Sequence, residues 1–164
     1  LSPLYNFDKN QDGSYHFISD SGSNYLIYFL ESTIPDSENN IHTIYNLGFT
    51  RDGEHACKSF FNKYDGKIRA TIMFIINDVF KKNEHRTLVY FCFGDDGYSR
   101  HRNIVFKRWA KDLDISIEAH NGIIDYDNNL VYSSLIIVSD NPLKKLILES
   151  FDTYLQELKQ HKIS

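Results

Sequence analysis

Apolar positions along the chain follow two rhythms. "SYHFISD" and "SNYLIYFLEST" have the aromatic and β-branched content of strands, and the turn "SDSGS" between them signals a hairpin. The second is apolar on both faces, which predicts an interior strand. After the polar loop "STIPDSENN", "IHTIYNLGFT" predicts a third strand, and "RDGEHACKSFFNKYDG" reads as a long irregular connection. The rhythm then changes. From Lys67 to Lys82, Ile68, Ile72, Ile75, Ile76 and Val79 recur at helical spacing. "RTLVYFCF" is apolar throughout, as expected of a central strand covered on two sides. A second helix is predicted from Arg100 to Leu113. "ISIEAHNGIIDYDNNLVYSSLIIVS" supplies two more strands around a turn rich in Asp and Asn. "DNPLKKLILESFDTYLQELKQH" closes the chain as an amphipathic helix, with Asn141 as N-cap and Pro142 at the first helical position.

The order is strand, strand, strand, helix, strand, helix, strand, strand, helix. Hairpins flank a central strand–helix–strand unit, a candidate parallel crossover. This predicts an α+β domain: a mixed, mostly antiparallel sheet of about six strands with three helices. No repeat or internal boundary is visible, so residues 1–164 read as one domain.

Composition narrows the function classes. A chain of 164 residues suits one domain with a real core. A formal net charge of -4 argues against broad binding to nucleic acid or anionic membranes. No apolar run approaches the roughly 20 residues that cross a bilayer. No signal peptide is visible, and a cytoplasmic location is the expectation. Cys57 and Cys92 are far apart and show no metal-ligand spacing; Cys92, within "LVYFCF", reads as a small core residue. There is no HExxH, GxSxG, P-loop or GxGxxG motif, so neither metal nor cofactor is expected. "DKNQDG" begins like a calcium loop with Asp8, Asn10, Asp12 and Gly13. Ser19 stands where the bidentate Glu belongs, and the segment reads as a turn. "DYDNN" reads as a hairpin loop.

Chemistry concentrates in "FCFGDDGYSRHRNIVFKRWAK". On a helical wheel Val105, Phe106, Trp109 and Leu113 form one face. Arg100, Lys107 and Lys111, with Arg108 beside them, form a basic stripe nearly opposite. Arg102 falls on the apolar face, where a charge is costly unless paired. Asp95 and Asp96 lie just upstream as candidate partners, and Ser99 is a candidate cap. Arg69 repeats the oddity in the first turn of the preceding helix. If the third and fourth strands run parallel, both helices start at one end of the sheet, where open α/β sheets tend to bind ligands. Arg69, Asp95, Asp96, Arg100, His101 and Arg102 are therefore the candidate site. They form either a structural arginine–carboxylate network or a crevice for an anionic ligand or a protein partner. The leading expectation is non-catalytic binding. A divergent acyltransferase using the same crevice is the alternative, and nucleic-acid binding through the basic stripe is third.

"YDGKIRATIMFIINDVF", "TLVYFCFGDDGYSRHRNIVFKRW" and "YSSLIIVSDNPLKKLILESF" resemble a small bacterial family classed as a domain of unknown function. That resemblance covers nearly the whole chain and implies no particular activity. The element order is also similar to the Gcn5-related N-acetyltransferases, which implies a mixed sheet whose splayed parallel pair holds acetyl-CoA at a helix N-terminus. In that family a Gln/Arg-x-x-Gly-x-Gly/Ala loop precedes the helix; here "NKYDGKIRA" offers Gly66 alone. Counting seven from Ser99, in place of the family's Asn, to its general-acid Tyr reaches Phe106, which has no proton to give.

Overall fold

The computed structural model describes residues 3–55, 65–83, 85–93, 97–126 and 128–160. Strands β1 (Phe7–Lys9), β2 (Tyr15–Ile18), β3 (Asn24–Pro35) and β4 (Ile41–Arg51) follow one another as antiparallel neighbours. Short strand β5 (Glu54–His55) folds back on β4. Helix α1 (Gly66–Lys82) leads to β6 (Thr87–Cys92), and helix α2 (Ser99–Ala110) leads to β7 (Ile117–Tyr126) and β8 (Asn129–Val138). Helix α3 (Lys144–Gln160) comes last. The sheet order is β1-β2-β3-β4-β6-β8-β7, with β5 beside β4. Only β4 and β6 pair in parallel among the described strands, joined by α1 as the crossover. The class is α+β, as the pattern predicts.

Alternation along the strands makes two cores. Leu88, Tyr90 and Cys92 of β6 face a layer formed by α1 and α2. Val89 faces α3, whose Ile147, Phe151 and Leu155 cover the other side. β6 is therefore buried on both faces, which is why it reads as an unbroken apolar run. On α1, Ile72, Ile75, Ile76 and Val79 are buried as their spacing predicts.

The structure corrects several local expectations. β1 and β5 are additional strands. Asp52 and Gly53 both adopt positive φ, which the tight β4–β5 turn requires. The "DG" there is a recognised hairpin signal inside what reads as an irregular connection. Ser99 does not cap α2: it is the first helical residue, and its hydroxyl donates to the Leu130 carbonyl at 3.0 Å. Pro142 is not helical either. The Asn141 side chain accepts from the Leu143 amide at 2.9 Å, capping a turn that runs into α3 at Lys144. The "DKNQDG" segment leaves β1 at Lys9 and then turns, the turn held by Asp12 accepting from the Ser14 amide and hydroxyl at 2.9 and 2.6 Å. Cys57 lies outside the described residues.

Candidate functional site

β4 and β6 stay together only briefly. Their register contains two pairs, Tyr45↔Leu88 and Asn46↔Val89. Beyond them β4 turns to β5, pairing Thr50 with His55 and Arg51 with Glu54. Among the described residues, β6 continues beside β8 alone, through Cys92↔Tyr132. Between the diverging strands lies a cleft of about 660 Å³. It opens at the carboxyl ends of the two parallel strands, where the crossover topology places a crevice.

Each wall comes from a different element. Leu47, Gly48 and Phe49 line the β4 side; Tyr90, Phe91 and Phe93 line the β6 side. Ile72, Met73 and Ile76 of α1 close it toward the helical layer, with Phe106, Trp109 and Ala110 of α2. Toward the other face of the sheet, Tyr28 and Leu30 of β3 flank the opening. Leu30 and Phe93 are more than half exposed, at 60% and 55%. The rings interlock at the base: Phe106 meets Phe49 and Tyr90 edge-on, with centroids 5.1 and 5.2 Å apart. Gly48 lies directly beneath the Tyr28 ring, and any side chain there would strike it.

Among the described residues that line the cleft, Arg102 carries the one guanidinium. It is buried, as its place on the apolar face predicts, and it donates to the Phe93 carbonyl. The neighbouring Cys92 thiol is pushed up to about 12 by burial, a shift that Arg102 opposes. Tyr90 donates to the Asn103 side-chain oxygen at 3.0 Å, and burial raises its phenol well above the ordinary value.

Arg69 does not line the cleft; it pairs with Asp112, beyond the last residue of α2 and away from Arg102 in that helix's first turn. Arg100 and His101 are exposed on α2. Asp95 and Asp96 lie outside the described residues. The basic stripe faces outward, with Arg100, Arg108 and Lys111 exposed. The aromatic walls were not singled out from the sequence, although Gly48 within a strand pattern is a recognised sign of close approach.

The amino end of α1 differs from a phosphate cradle. Asp65 caps it, accepting from the Lys67 amide at 2.9 Å and from the Tyr5 hydroxyl at 2.7 Å. A carboxylate thus already occupies the positive end of that helix. Burial, reinforced by Asp65, pushes the Tyr5 phenol up to about 12. Among the described residues no group of His, Cys, Asp and Glu could hold a metal ion, and no helix is long and apolar enough to cross a membrane.

A family model described as a family of unknown function, DUF6169, matches residues 64–153. This chain belongs to that family. The matched DUF6169 segment contains α1, β6, α2, β7, β8 and the first half of α3, hence three of the cleft's walls; β4 and β3 precede it. No curated protein and no solved structure matches the chain.

Proposed function

We propose that this chain is a binding module without chemistry of its own. Its ligand enters the cleft between β4 and β6, laying an apolar body against the rings and an anionic group toward Arg102. The parting of the parallel strands after two residue pairs carries the reading, because it opens a volume typical of ligand sites. A guanidinium in an otherwise apolar wall puts a positive charge in the cleft, which favours an anionic group beside it. The reactive side chains nearby support binding over catalysis. Tyr90 is tied to Asn103, the Cys92 thiol is held protonated, and Phe106 has no proton to transfer.

Anilinonaphthalene sulfonate joins aromatic rings to an anion and tests both halves. One saturable site is expected, weakened at least tenfold in Arg102→Leu while the melting midpoint stays near wild type. Loss of cooperative melting in that variant would assign Arg102 to closing the core instead.

A second reading is favoured by the strand order and the splayed parallel pair, which fit the acetyltransferase resemblance. In this reading the cleft holds an acyl-coenzyme A. The Asp65 cap weighs against it, since a pyrophosphate at α1 would face a carboxylate. A rise in melting midpoint with acetyl-CoA would favour it.

A further inference from the structure

We infer that the ligand is a planar, fused-ring aromatic acid and not a flexible acyl chain. This rests on the cleft being the binding site, and it names the ligand's chemical class.

The first observation is the chemistry of the walls. Aromatic residues make up 15% of the chain but seven of the nineteen residues in the lining, so rings are concentrated there. The core under α3 is packed instead with Ile, Leu and Val, and among the described residues Phe151 is its one buried ring. The rings of the cleft lie at both of its ends. Phe49, Phe106 and Trp109 meet at the base, whereas Tyr28 flanks the opening and Phe93 is more than half exposed. An aromatic guest gains edge and face contacts with such rings beyond the area it buries, about two- to tenfold in affinity for each pair. An acyl chain gains the area alone.

The second observation is the distance between charge and base. Arg102 stands in the first turn of α2 and Trp109 near its end, and both line the cleft. Their seven-residue spacing turns the helix within about 20° of two full turns, so the two positions share one face about 10 Å apart. A carboxylate beside Arg102 therefore reaches Trp109 through a body of about 10 Å, the length of roughly three fused rings. A long acyl chain outruns that distance and has to fold back on itself. Rigidity favours the same class, because a flat ring system gives up less conformational freedom on binding than a chain does.

Anthracene-2-carboxylate and hexadecanoate are the paired probes. They are nearly equal in non-hydrogen atoms, and the acyl chain exposes more apolar surface, so area alone would favour it. Each is titrated by calorimetry and by displacement of anilinonaphthalene sulfonate. Trp109 is the chain's one tryptophan, so its emission reports on the base of the cleft. Expected are one saturable site for the anthracene acid, affinity about tenfold above that of hexadecanoate, and quenching of Trp109 in step with occupancy. Phe106→Leu keeps the wall apolar but removes a ring. It should weaken the anthracene acid about two- to tenfold and leave hexadecanoate unchanged. Phe93→Leu, at an exposed position, should act in the same direction without moving the melting midpoint, and it decides the question if Phe106→Leu fails to fold. If the dye saturates but hexadecanoate binds as tightly as the anthracene acid, or if the variants weaken both probes alike, the aromatic class is refuted and the cleft stands. Saturation without quenching of Trp109 would place the acid elsewhere and also overturn it. If neither dye nor probe shows a saturable site, the cleft reading fails and takes this inference with it.

Discussion

β6 treats its two neighbours differently, and the contrast is the most informative feature of the fold. Against β8 it is zipped over its whole length, from Thr87↔Ile137 to Cys92↔Tyr132. Against β4 it makes two pairs and lets go. Aliphatic side chains dominate the closed seam: Leu88, Val89, Leu135, Ile136 and Ile137. Rings crowd the open one: where β4 and β6 diverge, Phe106 meets Phe49 and Tyr90 edge-on, and Trp109 stacks on Phe49 and lies tilted against Phe106. These rings of α2 pack along the helical side of the gap, and β5 pairs with the β4 edge further on. One side of β6 is thus closed along its length, and the other opens into the cleft.

The largest expected effect tests that division directly. Leu135 is fully buried beside the closed seam, so Leu135→Ala should cost about 2–5 kcal/mol in denaturant unfolding. Phe106 is half-buried and already borders a cavity, so Phe106→Ala should cost only about 1–2 kcal/mol despite removing more atoms. Equal costs would mean that the open seam is as much a core as the closed one.

A smaller effect probes the mouth. Gly48→Ala would put a methyl group into the Tyr28 ring, and overpacking of this kind costs about 1–3 kcal/mol. Tyr28 lies at the rim and can be removed. In Tyr28→Ala, adding Gly48→Ala should therefore be nearly free, giving a coupling of about 1 kcal/mol or more in a double-mutant cycle. Independent costs would place the ring elsewhere.

Legibility in the sequence followed the range of the interactions. The parallel pair was readable because a helix between two apolar strands has few topological solutions. Arg102 was readable because a charge on an apolar helix face is locally anomalous, and it is indeed buried in the cleft wall. The partner of Arg69 was not readable: Asp112 lies 43 residues away, and only the packing of α2 across α1 brings them together. The aromatic walls were hidden for a similar reason. Where two strands part depends on tertiary packing, and a Phe at a gap looks the same in sequence as a Phe in a core. Ser99 shows a local rule losing to a tertiary one, because its hydroxyl finds the Leu130 carbonyl in place of the helix end.

The smallest effect concerns the opposite end of β4 and appears only in acid. There the β3–β4 turn is locked. Asp36 accepts a hydrogen bond from His42 Nε2 at 2.8 Å and others from the Glu38 and Asn40 amides at 2.8 and 2.9 Å. Because a carboxylate only accepts, His42 carries its proton on Nε2 at that contact. These bonds, the one from His42 foremost, lower the Asp36 carboxyl to about 2. Its folded value thus lies below the unfolded value of about 3.9. The unfolded chain then binds the proton more readily, so this stability is fully present above pH of about 4 and is lost as pH falls toward 2. Stability measured across that window should decline more steeply in the wild type than in Asp36→Asn, with the two parallel above it. The same acid titration should leave dye binding in the cleft intact until the whole domain unfolds, since the lock holds the start of β4 and the proposed site lies where that strand opens. Dye release preceding unfolding would show that the two ends of β4 are coupled, so that its locked start helps to hold its other end apart from β6.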